Sequence, residues 1–173
     1  MRAPVRGVMR PLGDDGLGDG QDCPSYRAST ITPLGALTLT ETRGLITGLE
    51  WRAVPGESSA LLDGAFAQLA EYFAGIRQAF DLPLDFGVGL QRDVRLAMVA
   101  IPYGETRTYG DLAKDLGVPA QAIGQACGAN ALPIMIPCHR ILAASGMGGD
   151  SGAGGVETKV ALLRLEGAAS LLI

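Results

Sequence analysis

Polar and apolar residues change rhythm several times along the chain. Residues 1–29 are rich in Gly, Asp, Pro and Arg, show no apolar period and predict a flexible extension. From Leu34 the pattern shortens to two strand-like runs, LGALTLTE and LITGLEW. Thr42, Arg43 and Gly44 separate them, a hairpin signal. Over residues 58–79, Leu62, Phe66, Leu69, Phe73 and Ile76 recur at three- and four-residue spacing, which predicts a helix. Pro83 disfavours helical backbone at Leu82, so residues 81–89 read as a linker.

Beyond the linker the period is helical. Leu90, Val94, Met98 and Ile101 share one face of a run over 90–101, which Pro102-Tyr103-Gly104 ends. Thr106 or Thr108 can cap the next helix, TYGDLAKDLG, whose apolar face is Tyr109, Leu112, Ala113 and Leu116. Gly117 stops it, and Pro119 suits the first turn of a further helix, AQAIGQACG. Two short helices around a glycine-containing turn predict a helix-turn-helix. The run LPIMIP predicts a short buried extended segment, and residues 145–155 a Gly-rich loop. Val156 to Glu166 reads as a last helix, with Val160, Leu162 and Leu163 on or near its buried side. The predicted fold is an α/β N-terminal unit (small sheet plus helix) over 30–85. A mainly helical C-terminal domain with a helix-turn-helix follows over 86–173, and residues 1–29 stand outside both as an extension.

Composition narrows the function. A chain of 173 residues, 47% hydrophobic, can build a real core in one domain or two small ones. No apolar run approaches 20 residues, so no membrane span is expected. Arg2, Arg6 and Arg10 precede no apolar block, so no secretory signal is expected. A net charge of −4 argues against charge-driven nucleic-acid binding. The acidic excess lies in residues 1–85, with 7 basic and 11 acidic side chains; the remainder holds 7 of each and can face a polyanion. Three cysteines, Cys23, Cys127 and Cys138, are too few and too odd for a disulfide framework and suit a reducing cytoplasm. With one histidine and no C-x-x-C, no metal site is expected.

The chemistry concentrates at Pro137-Cys138-His139-Arg140. A thiol attacks only as thiolate and needs a base or a positive environment. His139 is the only side chain that is a base near neutral pH, acting directly or through a water. A carboxylate on its far side would orient the ring, and Glu166 is the candidate. The same pair also reads as a buried core thiol beside a capped surface histidine.

IPCHRIL resembles the active-site signature of the methylated-DNA–protein-cysteine methyltransferases, the O6-alkylguanine-DNA alkyltransferases. TPLGALTLTE and GLITGLEW resemble that family's N-terminal hairpin, and LAEYFAGIRQAFDLPLDF its joining helix and linker. IPYGETRTYGDLA resembles the start of its helix-turn-helix. ANALPIMIPCHRIL and GGVETKVALLRLEG resemble its catalytic core and last helix. The similarity spans about residues 30–168. It implies repair without cofactor, in which an O6-alkylguanine flipped out of double-stranded DNA loses its alkyl group permanently to a cysteine. By position, Cys138 would accept the alkyl group, His139 would act as base through a water, and Glu166 would orient His139. Asn130 would hold the turn joining the helix-turn-helix to the active-site segment. Tyr109 would stand near the flipped nucleotide's backbone and give a proton to guanine. The helix Ala120–Gly128 would enter the minor groove, its small side chains Ala120, Ala122, Gly124 and Ala126 allowing close approach. Ala120, Gln121, Gly124, Gln125 and Arg140 are the expected DNA contacts, with Arg107 and Lys114 near the same face. The implied protein is a cytoplasmic monomer.

The chain departs from the family pattern at three places. Gln121 stands where an arginine usually fills the gap left by the flipped base. The loop GGDSGAGG lacks a tyrosine near Asp150. Arg95 replaces a large apolar residue. Two other readings fit these residues: a protein that binds alkylated DNA without repairing it, and an acceptor of alkyl groups from a non-duplex donor.

Overall fold

The computed structural model describes residues 24–147 and 155–168. Three antiparallel strands come first: β1 (Ser25–Thr32), β2 (Gly35–Thr42) and β3 (Leu45–Glu50), in that spatial order. The predicted hairpin pairs Thr42 with Leu45. Arg43 and Gly44 both take positive φ, 55° and 74°, the pair a two-residue turn needs to follow the strand twist. β1 corrects the sequence reading, which places Ser25–Ser29 in the extension. SYRASTIT has no apolar stripe; its order comes from pairing with β2, from Ser25 opposite Thr42 to Thr32 opposite Gly35. Residues 1–23 lie outside the described residues.

Leu37 and Leu39 of β2 and Ile46 and Leu49 of β3 are buried. Helix α1 (Ala60–Phe73) packs against β1 and β2. Ser59 caps it, its side chain accepting from the Leu62 N–H. The buried stripe is Leu62, Ala65, Leu69 and Tyr72, one step round from the expected one. The helix closes at Phe73, short of the predicted 79, which leaves Ile76 77% exposed.

Strand β3 ties the two halves together. The Ile46 N–H donates to Pro83 O (2.8 Å), and the Asp85 N–H donates to Ile46 O (3.0 Å). The Leu49 N–H donates to Ala131 O (2.8 Å), at the start of the segment leading to Cys138. Buried residues from both halves form one continuous core.

In the second half, α2 (Gly89–Val99), α3 (Tyr109–Leu116) and α4 (Ala120–Gly128) pack on one another. Of the two threonines, Thr108 caps α3. Its hydroxyl accepts from the Asp111 N–H (3.1 Å), and its own N–H donates to Asp111 Oδ2 (2.9 Å). These bonds hold the Asp111 carboxyl below its usual range. Pro119 is the N-cap of α4, one position before the first turn. Helices α3 and α4 supply the two helices of the predicted motif. The expected extended run at LPIMIP is instead a series of turns, with Ile134 at φ 74°. A parallel pair, β4 (Arg107–Thr108) and β5 (Ile141–Leu142), sets the start of α3 beside the segment after Cys138. Helix α5 (Gly155–Leu165) buries Leu162 and Leu163, while Val160 is half-buried. No described helix is long and apolar enough to cross a membrane.

Thr108→Ala removes one half of the reciprocal cap. The expected loss is about 1 kcal/mol of stability, read as a lower chemical-denaturation midpoint with unchanged slope.

Candidate active site

Cys138 owes its position to the loop that precedes it. The Asn130 side chain closes this loop at both ends: Oδ1 accepts from the Leu132 N–H (3.1 Å) and Nδ2 donates to Ile136 O (2.9 Å). The Ile136 N–H donates back to Leu132 O (2.9 Å). With Leu132 and Ile136 bonded to each other and to Asn130, the two ends of LPIMIP close on themselves and not on a strand partner. The Cys138 N–H also donates to Ile136 O (2.8 Å), making a tight three-residue turn on Pro137 at φ −81°, ψ 70°. One carbonyl thus fixes the end of α4 and the backbone of Cys138. Cys138 then opens a single 3₁₀ turn, Cys138–Arg140, and is half-buried.

Glu166 lies at the end of α5 with its side chain fully buried. Its Oε1 receives the Tyr72 hydroxyl (2.6 Å), His139 Nε2 (2.7 Å) and Arg140 Nη2 (3.0 Å). Its Oε2 receives Arg140 Nε (2.9 Å). Gly104 crosses close by at φ 80°, where a Cβ would come within 2.9 Å of Glu166 O. Burial alone would push the carboxyl up, but the bonds from His139, Arg140 and Tyr72 outweigh it and hold the pKa at about 2. For His139, burial dominates and lowers the pKa; the bond to Glu166 only partly offsets this. The imidazole is therefore neutral at pH 7. With an ionised acceptor at Nε2, the proton sits on Nε2 and the lone pair on Nδ1. Nδ1 has no hydrogen-bond partner among the described residues.

The predicted site residues fall into three groups. Cys138, His139, Glu166 and Asn130 converge as described. Tyr109 is half-buried at the start of α3, directly after the Thr108–Leu142 pairing. Ala120, Gln121 and Gln125 are exposed and Gly124 half-exposed on the outward face of α4, while Ala126 and Ile123 face the core. Arg140 departs from its expected place on the DNA face. It is buried, with two donors on Glu166 and Nη1 on Ile101 O (2.7 Å), because the Glu166 charge needs a counter-charge more than solvent does. Arg107 pairs with Asp115 (2.6 Å), and Lys114 is exposed. The Gly-rich stretch at 148–154 lies outside the described residues.

Two side chains escape the sequence reading, Tyr72 and Lys159, and a third, Arg95, stands out there only as a charge on an apolar face. Tyr72 reaches Glu166 from α1. Lys159 is buried, with Nζ on Ile141 O (2.7 Å), joining α5 to β5. Lys159, Leu162, Leu163 and Glu166 recur at helical spacing, so a charge at each end of an apolar stripe was the available signal. Arg95 is a buried strut: Nη1 donates to Asp85 O (2.9 Å) in the linker and Nη2 to Ala129 O (3.1 Å) at the end of α4. Cys127 is a different kind of thiol from a nucleophile, since burial raises its pKa to about 12.

Two family models match the chain: 6-O-methylguanine DNA methyltransferase, ribonuclease-like domain, over residues 25–86, and its DNA binding domain over residues 89–168. The methylated-DNA–protein-cysteine methyltransferase of Mycobacterium tuberculosis is 41% identical over 150 residues, covering 78% of this chain and 88% of that protein. The constitutive methylated-DNA–protein-cysteine methyltransferase of Bacillus subtilis is 38% identical, covering 82% and 95%. The crystal structure of the M. tuberculosis O6-methylguanine methyltransferase superposes with a TM-score of 0.74 at 37% identity, covering 83% of this chain and 93% of that one. M. tuberculosis OGT in complex with DNA superposes at 0.70 with 39% identity, covering 84% and 96%.

His139 and Glu166 both bind protons less tightly in the folded chain than in the unfolded one, so unfolding takes up protons as pH falls. Stability should be full above the ordinary histidine value of 6.5, decline below it, and decline again from 4.5 towards about 2. Glu166→Gln should shrink the lower decline, leaving the part due to Asp111, and cost roughly 3–5 kcal/mol at pH 7, because Arg140 loses its counter-charge. Denaturant titrations across pH measure both.

Proposed function

The chain belongs to the methylated-DNA–protein-cysteine methyltransferase family, and on that premise we propose that Cys138 is the residue that takes the alkyl group. The protein repairs DNA by moving an alkyl group from O6 of guanine directly onto a cysteine of its own. One observation carries the assignment. Cys138 shares a single 3₁₀ turn with His139, whose Nε2 is committed to Glu166 while Nδ1 has no described protein partner.

The step is a displacement at carbon. The Cys138 sulfur forms a bond to the alkyl carbon as the bond from that carbon to O6 breaks, and its electron pair goes to guanine. The thiol proton passes to His139 Nδ1 through a water, and guanine takes up a proton, for which Tyr109 is the proposed donor. Glu166 stays ionised and stabilises the imidazolium that forms, as the acid of other nucleophile–base–acid sets does. Electrons and protons balance without a cofactor. A thioether is a stable bond whose thiolate is a poor leaving group, so each molecule reacts once.

Reaching O6 inside a duplex requires flipping the nucleotide out. The outward face of α4, with Ala120, Gln121, Gly124 and Gln125, is the proposed contact surface on double-stranded DNA, bound by a monomer. Small side chains suit the narrow minor groove. With Arg140 buried and Arg107 paired, few cations remain for phosphates. The salt dependence of binding should therefore be shallow, and a slope implying many ion contacts would contradict this surface.

Peptide mass spectrometry after incubation with O6-methylguanine duplex should find one methyl on the Cys138 peptide and none in Cys138→Ser. Binding without transfer would instead mark a damage sensor. Gln121→Arg should raise the rate on duplex DNA several-fold while leaving the rate with free O6-benzylguanine unchanged. No gain on duplex would remove Gln121 from the gap-filling role.

A further inference from the structure

We propose that Tyr72, a side chain of the N-terminal unit, is a positioning residue for alkyl transfer: its hydroxyl fixes Glu166 Oε1 and tunes how strongly that oxygen holds His139. The inference rests on reading Cys138, His139 and Glu166 as the reaction centre. It goes further in making the first half of the chain part of that centre.

The contact spans 94 positions in sequence and joins two side chains hidden from solvent. A buried phenol must find an acceptor, and the acceptor it finds is the oxygen that also holds the proposed base. Oε1 takes three donors, from Tyr72, His139 and Arg140, although a carboxylate oxygen has only two in-plane lone pairs. The donors therefore compete. The shortest of the three bonds, at 2.6 Å, comes from Tyr72, so the phenol withdraws electron density that would otherwise strengthen the bond to His139. Burial beside Glu166 raises the Tyr72 pKa, which keeps the phenol protonated and a donor throughout the working range.

The groups facing Glu166 from each packed element are few. Helix α1 presents Tyr72. The turn after α2 presents Tyr103, whose ring lies 5.8 Å beneath the Arg140 guanidinium and whose hydroxyl donates to Leu165 O (3.2 Å). The 3₁₀ turn presents His139 and Arg140. Helix α5 adds Lys159, engaged at Ile141 O and near enough to His139 to lower its pKa. Tyr103 is also shifted upwards. Among these groups His139 is the one whose ordinary value lies near neutral pH, and burial lowers it from there. Loss of the Tyr72 hydroxyl would leave Oε1 more basic, raise the proton affinity of His139 and keep more of the base protonated at a given pH.

The packing role of Tyr72 can be separated from its hydroxyl. The ring sits against Phe73 (5.4 Å between centroids), Phe80 (5.5 Å) and Tyr103 (6.2 Å), contacts that phenylalanine keeps. The experiment is the transfer rate from free O6-benzylguanine to the full-length chain as a function of pH, for wild type and Tyr72→Phe. The expected result is an acid limb about one unit higher, with a roughly tenfold slower rate at pH values on that limb and a much smaller change at pH 7, the size of effect one lost bond to a charged group can have. In a Glu166→Gln background, Tyr72→Phe should leave the limb where it is. Should Tyr72→Phe fail to fold, difluorotyrosine at position 72, a stronger donor of nearly the same shape, should move the limb down. An unmoved limb in either variant, or a rate loss uniform across pH, would overturn the proposal. No transfer in the wild-type chain at any pH would instead overturn the underlying site.

Discussion

A fully buried carboxylate is the constraint around which this molecule is organised. Glu166 has no access to solvent through its side chain, and an isolated charge in that position would cost far more than a small domain can sustain. It is tolerated because donors reach it from several parts of the chain at once: Tyr72 from α1, and His139 and Arg140 from the 3₁₀ turn. Each donor fixes the element that carries it. The carboxylate therefore sets the relative placement of the first helix, the PCHR turn and the last helix with bonds of 2.6 to 3.0 Å. It also sets charge. Burial, with the Arg140 charge adding to it, leaves His139 neutral, while the ionised Glu166 occupies Nε2 and turns the lone pair to Nδ1.

The second fixed point is Asn130. Its amide and the Cys138 N–H share the Ile136 carbonyl, so the residue just after α4 and the reactive residue are tied to one acceptor. On the proposed function, this converts contact with DNA at α4 into placement of the thiol without a hinge between them. Arg95 extends the coupling to the linker through Asp85 O and Ala129 O. A charged residue on an otherwise apolar face is explained by those two carbonyls, which would otherwise be left without side-chain donors.

Much of this was legible in the sequence. The β2–β3 hairpin, the helices and the Thr108 cap are written in local pattern and turn chemistry. The reactive segment stood out because PCHR places the only histidine beside a cysteine. What stayed hidden depends on distant partners. SYRASTIT looks unstructured alone and becomes a strand only through β2. Tyr72 reads as one apolar residue among several until the fold brings it to Glu166. Arg140 reads as a surface cation, and its burial follows from a counter-charge 26 residues away. LPIMIP reads as extended until the Asn130 side chain folds it back.

At the centre of the site, burial keeps His139 a neutral base while Glu166 holds its proton on Nε2. His139 is the only histidine in the chain, so the ring nitrogens of a ¹⁵N-labelled sample give one unambiguous pair of resonances. At pH 7 the account predicts a protonated Nε2 and a bare Nδ1, with titration to the imidazolium only below the ordinary histidine range. A protonated Nδ1, or an imidazolium already present at pH 7, would contradict it.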